Sequence, residues 1–178
     1  IFGLSFDRKH GGMGAPATLS MLVFQQLSRA GLAFSTQIGF HTSIADMIER
    51  FCAPEFHHFI PKILAGEISG AMCMTEPGAG SDVGALRTSA EKQPDGTYRL
   101  TGAKIFITNG GGGLQFVLAR VKGAPKGLEG ISMFFLQEHL EGKRNYTIAK
   151  LEEKMGMHGS PTCEVVYDNS VGHIVGLE

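Results

Sequence analysis

Apolar residues in the first third of the chain recur at helical spacing. Leu19, Leu22, Val23 and Leu27 share one face, after the loop His10-Gly11-Gly12-Met13-Gly14-Ala15-Pro16. Ile44, Met47, Ile48, Phe51 and Cys52 follow the i, i+3, i+4, i+7, i+8 rule, as do Phe56, Phe59, Ile60, Ile63 and Leu64. Pro61 lies inside the last pattern and lacks a backbone donor, so that helix is expected to kink or to begin late. Gly66 is placed to close it in a left-handed cap. Beyond residue 66 the period drops to two. Asp95-Gly96 marks a turn between Arg87-Thr88-Ser89-Ala90-Glu91 and Tyr98-Arg99-Leu100. Phe116 to Ala119, Ile131 to Phe135 and Cys163 to Tyr167 are short apolar runs bounded by Gly, Pro or charge, and read as strands. Helices first and strands later predict an α+β fold, with an N-terminal α-helical segment followed by a mostly antiparallel, β-barrel-like domain. The change of period divides the chain into 1–66 and 67–178.

Composition narrows the class. The 178 residues are 43% hydrophobic, enough for a buried core. Lys and Arg number 16 against 17 Asp and Glu, so no charge excess draws the chain to nucleic acid or to an anionic membrane. No apolar run reaches the roughly 18 to 20 residues of a membrane span, which argues against stable membrane insertion. Cys52, Cys73 and Cys163 are odd in number and form no C-x-x-C pair. That spacing speaks against a disulfide framework or a cysteine-built zinc site and suits a reducing compartment. The chain starts at Ile1 and stops soon after Val171-Gly172-His173-Ile174-Val175-Gly176, and reads as a fragment of a longer protein.

Two stretches carry candidate chemistry. Met72-Cys73-Met74-Thr75-Glu76-Pro77-Gly78-Ala79-Gly80-Ser81-Asp82 leaves a small-residue strand and enters a glycine loop. Successive N–H groups in such a turn can form an anion nest, with the Ser81 hydroxyl beside it, so a phosphate or pyrophosphate is one reading. A tight, solvent-facing turn with no ligand is the other. The loop is neither a Walker loop nor the G-x-G-x-x-G fingerprint. The second stretch, Leu100-Thr101-Gly102-Ala103-Lys104-Ile105-Phe106-Ile107-Thr108-Asn109-Gly110-Gly111, is a strand running into glycines. Phe106 and Thr108 there suit either stacking on a ring and bonding its edge, or an ordinary core and strand end.

Together the two stretches resemble the paired flavin motifs of the acyl-CoA dehydrogenase family. Thr-Glu-Pro-Gly-Ala-Gly-Ser-Asp is followed, after a hairpin, by Gly-Ala-Lys-Ile-Phe-Ile-Thr-Asn-Gly-Gly. The likeness is dense over residues 66 to 121 and looser from Gly11-Gly12-Met13-Gly14 to Lys154-Met155-Gly156-Met157-His158-Gly159-Ser160. It implies that 1–66 is the C-terminal part of an N-terminal helical domain and 67–178 a middle β-domain with flavin-binding motifs. It further implies FAD as cofactor. Cys73, Met74 and Thr75 would lie along the flavin ring, Gly80 and Ser81 at its phosphates, with Ser81 also touching the acyl-CoA substrate. Phe106 would stack on the ring where many relatives carry Trp, and Ile107 and Thr108 would complete the cradle.

The resemblance implies a reaction as well, an α,β-dehydrogenation of acyl-CoA to trans-2-enoyl-CoA in fatty-acid β-oxidation. Electrons would pass to an electron-transfer flavoprotein. The proton-abstracting glutamate of the family lies in a C-terminal helical domain, so no catalytic residue is assigned in this chain and the fragment alone is expected to be inactive. Glu76 is not taken as a substitute, since a turn glutamate is more often structural or solvated. The alternatives are an acyl-CoA oxidase using oxygen, or a non-catalytic flavin-fold binding module. The full-length protein is expected to be a homo-oligomer, cytoplasmic in a bacterium or in the mitochondrial matrix of a eukaryote.

Other candidates read as structure. His57 and His58 diverge on a helix with no third ligand spaced for a metal. Lys104 reads as a solvated strand charge and Cys73 as a small packed residue. Thr36, Gln37, Phe40 and His41 lie on a helix that lines the acyl pocket in relatives, where His41 either serves the pocket or simply packs. Met155 to Cys163 is similar to a subgroup of longer bacterial members that includes enzymes acting on methylthio-acyl-CoA.

Overall fold

A computed structural model describes residues 1–176. Leu177 and Glu178, the end of the expected β-domain, lie outside them. The chain divides into two compact units. The first comprises Ile1–Gly70 and Glu153–Ser160, and the second comprises Ala71–Glu152 with the chain from Pro161 on. The excursion Glu153–Ser160 therefore clusters with the helices, although its sequence neighbours belong to the sheet.

The first unit is helical. Helix α1 (Ala17–Ala30) stops at Gly31, whose N–H bonds Leu27 O, and helix α2 (Leu32–Phe51) follows at once. Ile38, Ile44, Ala45 and Ile48 form the buried stripe of α2, the i, i+3/i+4 face expected of an amphipathic helix. The apolar face read on α1 is only partly used, since Leu19 and Leu22 remain exposed at 47% and 55%. Helix α3 (Phe59–Ala65) begins late, with Pro61 in its first turn, where a missing N–H removes no helical bond. Gly66 closes it at φ 81°, bonding back to Lys62 and Ile63 carbonyls, as a left-handed cap requires.

The second unit is a closed barrel. Its strands are β1 (Ser69–Cys73, of which Ala71–Cys73 belong to this unit), β2 (Ser89–Lys92), β3 (Tyr98–Thr108), β4 (Gly113–Val121), β5 (Ile131–Gln137), β8 (Thr147–Leu151) and β9 (Thr162–Ile174). A small hairpin of β6 (His139–Leu140) and β7 (Lys143–Arg144) stands apart as its own sheet. Neighbour pairing runs β4-β2-β3-β9-β5 and returns to β4, which joins five strands in a ring. Closure leaves no open edge on those strands. The β2–β4 pair is parallel, while the other four pairs of the ring are antiparallel. β1 and β8 attach outside the ring, on β4 and β9.

Local chemistry accounts for much of this. Asp95 accepts from the N–H and hydroxyl of Thr97, and Gly96 takes φ 84°, so the β2–β3 turn forms as its sequence predicts. Along β3 inward Tyr98 and Leu100 alternate with outward Arg99 and Thr101. The barrel fills with Tyr98, Leu100, Val117, Phe134, Leu136, Val165 and Tyr167, all essentially buried. Tyr98 and Phe134 pack ring to ring at 4.9 Å, and Phe116 and Phe135 face each other across β4 and β5 at 5.4 Å. Gly102 is required by space. A Cβ there would sit 2.8 Å from Thr88 Cα and 2.5 Å from its hydroxyl.

Two glycines make a test of this packing by chemical denaturation. Gly102→Ala should lose about 1–3 kcal/mol, because backbone and not a pliable side chain blocks the methyl. Gly78→Ala, whose Cβ meets nothing within 4 Å, should stay within about 0.5 kcal/mol of the parent. Equal effects at the two positions would contradict the packing described.

Candidate functional site

The two stretches singled out by sequence lie side by side in the second unit. The Ile105 N–H donates to Thr75 O at 2.9 Å, which ties the chain leaving β1 to the end of β3. Glu76 and Ala79 exchange backbone bonds of 2.9 and 3.1 Å, closing a tight turn with Pro77 and Gly78 at its exposed tip. Gly80, Ser81 and Asp82 follow, all exposed. Their N–H groups, and that of Gly78, have no partner among the described residues. A Cβ on Gly80 would meet only the Thr75 methyl, at 3.8 Å. Free donors on an open glycine turn are what a phosphate needs.

Phe106 is presented by a bulge. Between Lys104↔Val165 and Ile107↔Cys163 strand β3 advances three residues while β9 advances two. The extra residue takes φ 58° at Phe106, a left-handed conformation that costs a bulky residue on the order of 1–3 kcal/mol. The bulge also breaks the alternation. Lys104 and Ile107 both face inward, and the Phe106 ring turns outward with 61% of its surface exposed. Met74, on the tied segment, is 38% exposed. The Thr75 and Thr108 hydroxyls are half-buried and bond no described residue. Met74, Thr75, Phe106 and Thr108 thus present side chains around one region. Cys73 and Ile107 do not, since both side chains are buried in the barrel and only their main chain can meet a ligand.

Beneath the glycine turn lies an ion pair that the sequence reading missed. Lys104 is wholly buried, and its ammonium sits 2.8 Å from Glu76 Oε1 and 2.9 Å from Met74 O. The reading of Lys104 as a solvated charge is therefore corrected. The signal was present in the parity of β3, where Tyr98, Leu100 and Lys104 share the inward face. Glu76 Oε2 also accepts from Arg87 N–H at 2.6 Å, and Oε1 from Thr88 N–H at 3.1 Å. Burial pushes the Glu76 carboxyl up, but the bonds from Lys104, Thr88 and Arg87 outweigh it and hold the carboxyl below its usual value. Burial pulls the Lys104 ammonium down, and its bond to Glu76 only partly offsets that. The carboxylate is engaged on both oxygens, so it is part of the frame.

The far end of the stretch is held by a second buried network. Tyr167 donates its hydroxyl to Gln115 Oε1 at 2.6 Å, and Gln115 Nε2 donates to Gly110 O at 2.8 Å. Asn109, at φ 59°, donates its N–H to Pro161 O at 2.8 Å. Gly110 must be glycine, because a Cβ would come 2.9 Å from Cys163 Cβ. Burial pushes the Cys73 thiol up to about 12, so it packs and does not react. Burial also raises the Tyr167 and Tyr146 hydroxyls far above their usual range.

In the first unit His41 stacks on Phe2 at 4.2 Å and donates Nδ1–H to Gln37 O at 2.7 Å, with Ser69 Oγ 3.4 Å away. It is engaged in packing. His58 likewise donates to Glu55 O and lies against Phe59.

The Glu76–Lys104 pair generates a stability test. In the open chain the Glu76 carboxyl titrates near 4.5 and in the fold lower, so its contribution is complete above 4.5 and drains as pH falls through the folded value. Lys104→Met should cost about 3–5 kcal/mol near neutrality by leaving a buried carboxylate without its countercharge. The stability gap between the parent and Glu76→Gln should narrow as the pH is lowered below 4.5. A gap independent of pH in denaturant titrations would contradict the pairing.

Comparison with known proteins agrees with this geometry. The family profile described as "Acyl-CoA dehydrogenase, middle domain" matches residues 71–170, and that of "Acyl-CoA dehydrogenase, N-terminal domain" matches residues 1–67. The 3-methylmercaptopropionyl-CoA dehydrogenase of Ruegeria pomeroyi is 35% identical over 98% of this chain. The butyryl-CoA dehydrogenase structure from Megasphaera elsdenii superposes with a TM-score of 0.88 at 33% identity, covering 99% of this chain. An acyl-CoA dehydrogenase of Bacillus anthracis, solved in complex with FAD, superposes with a TM-score of 0.84 at 28% identity over 99% of the chain. The chain spans 32%, 48% and 30% of those three proteins respectively. With one family profile on the helical residues 1–67 and the next on the barrel residues 71–170, which carry the outward aromatic bulge and the free-donor glycine turn, this chain belongs to the acyl-CoA dehydrogenase family.

Proposed function

We propose that the second unit cradles FAD, and that the whole protein carrying this chain dehydrogenates an acyl-CoA between its α and β carbons. The observation that carries the reading is a coincidence of three features on one unit. An aromatic ring is held outward at Phe106, and among the described residues the hydroxyls of Thr75 and Thr108 and the N–H groups of Gly78, Gly80, Ser81 and Asp82 have no partner. A flat ring with a polar rim and a diphosphate tail asks for these three. The residues present fit the group. FAD, when bound, supplies a ring that accepts the hydride leaving the β carbon.

The roles of the chain's own residues follow. Phe106 covers one face of the ring, and Phe in place of the Trp of many relatives keeps stacking while reducing its area. Thr75 and Thr108 donate to the polar rim, with Thr108 at the hydride-accepting side. Met74 lines the ring by its side chain, while Cys73 and Ile107 contribute main chain only. Gly80 and Ser81 hold the phosphates, and Ser81 also reaches the acyl-CoA. Held groups of this kind align the substrate carbon and replace bulk water without reorganising during the reaction.

The proton on the α carbon goes elsewhere. Glu76 is the one carboxylate in the cradle turn besides exposed Asp82, and both its oxygens are taken by Lys104, Arg87 and Thr88. As the family resemblance implies, we take the base to be a glutamate of a C-terminal helical domain outside this chain. The product is a trans-2-enoyl-CoA, and an electron-transfer flavoprotein receives the electrons. Relatives named for butyryl-CoA and 3-methylmercaptopropionyl-CoA support a thioester of a short acyl group as the substrate class.

Two measurements check this reading. In the full-length protein, Thr108→Val should slow flavin reduction in stopped flow about tenfold or more, the weight of one lost transition-state hydrogen bond, while acyl-CoA affinity changes less. Unchanged reduction kinetics would remove Thr108 from the hydride side. Residues 1–178 alone should turn over no acyl-CoA in a dye-reduction assay. Steady turnover would mean that the base lies within them.

A further inference from the structure

We infer that Lys104 and Glu76 are positioning residues for the flavin ring, because their buried pair closes onto the Met74 carbonyl and fixes the offset between the Met74–Thr75 segment and the Phe106 bulge. The inference rests on the flavin reading above and goes beyond it by assigning a role to two residues that touch neither ring nor substrate.

Two pieces of chain meet at one ammonium, and a third joins through its carboxylate partner. Lys104 leaves β3 two residues before Phe106, and its Nζ donates to Met74 O at 2.9 Å and to Glu76 Oε1 at 2.8 Å. The Met74 carbonyl belongs to the peptide that carries Thr75, whose own carbonyl accepts from Ile105 N–H at 2.9 Å. Glu76 then reaches the start of β2 through the Arg87 and Thr88 N–H groups. The residues proposed to face the ring, Met74, Thr75 and Phe106, are each one or two positions from an atom of this network.

The network is also costly for mere filling. An apolar side chain would occupy the Lys104 site without the desolvation of a charge, and replacing buried pairs by packed apolar groups is often neutral or stabilising. What a charge pair adds is direction, since an ammonium requires acceptors at set positions. Phe106 needs that constraint. A left-handed phenylalanine persists only where its surroundings over-determine it, and Lys104 and Ile105 are its two preceding neighbours, both tied across to the Met74–Thr75 segment. With the tie removed, the bulge can relax into regular strand and carry the ring inward or along the sheet.

Stability and positioning are separable in the full-length protein. The single variant Lys104→Met and the double variant Glu76→Gln/Lys104→Met are compared with the parent for melting midpoint, FAD dissociation constant by flavin fluorescence, and the shape of the visible flavin band. The double variant should recover most of the midpoint lost in the single one, because no lone buried carboxylate remains. Its FAD affinity should stay weakened by at least about tenfold, the equivalent of one charge-assisted hydrogen bond, with a band shape unlike the parent's. FAD affinity and band shape that return together with the midpoint would overturn the inference and leave the pair a structural filler. Should the double variant not fold, Glu76→Gln alone decides. Weakened FAD binding with a changed band supports positioning, and parental affinity with a parental band overturns it. A parent protein that binds no FAD would be seen before any variant is compared, and would remove the flavin reading and this inference with it.

Discussion

An ammonium with no exposed surface has to be met by acceptors, and both acceptors of Lys104, Met74 O and Glu76 Oε1, come from the segment that leaves β1. That requirement organises the edge of the barrel. It holds the turn after β1 against β3, two residues before the bulge at Phe106, and brings the start of β2 to the same carboxylate. Among the described residues, the exposed ring, the free hydroxyls and the free N–H groups lie beside a frame whose carboxylate is engaged on both oxygens. A ligand site and its support are thus distinct sets of residues in this unit, interleaved residue by residue along one strand.

Legibility in the sequence followed how local each determinant is. Gly66, Pro61 and the Asp95-Gly96 turn announce themselves because their conformations are fixed by their own chemistry. β4, β5 and β9 were visible as apolar runs, β2 and β3 as the arms of that turn, and the α+β order as a change of period, while β6, β7 and β8 carry no such run. The parallel β2–β4 contact that closes the ring was not, because pairing partners are chosen by packing across the barrel and no local pattern records them. The bulge at Phe106 was hidden for a related reason. Nothing in a phenylalanine signals left-handed backbone, and the extra residue is counted only when β3 is laid against β9. Lys104 was misread on residue type alone, although its parity with Tyr98 and Leu100 pointed inward. Tyr167 was read as a strand residue and Gln115 was not singled out, and their bond to each other appears only in three dimensions.

The candidate site divides along the same line. The loop from Thr75 to Asp82 and the run Phe106 to Thr108 were picked out first by composition and then by family resemblance, and the fold sets them side by side through the Ile105–Thr75 bond. What the sequence could not distinguish was which side chains in those runs face outward. Met74, Thr75, Phe106 and Thr108 do, whereas Cys73 and Ile107 belong to the barrel core. The division matters for mechanism, because it limits the last two to main-chain contacts. The one buried carboxylate of the motif, Glu76, likewise belongs to the frame, with both oxygens engaged.

The central claim is that the outward bulge and the glycine turn form one cradle for one molecule. A crystal structure of the full-length protein with FAD tests it most directly. Isoalloxazine density lying against the Phe106 ring, with Thr75 and Thr108 at its rim and the diphosphate at Gly80 and Ser81, is the predicted result. FAD density away from these residues, with the Phe106 ring facing solvent, would contradict it.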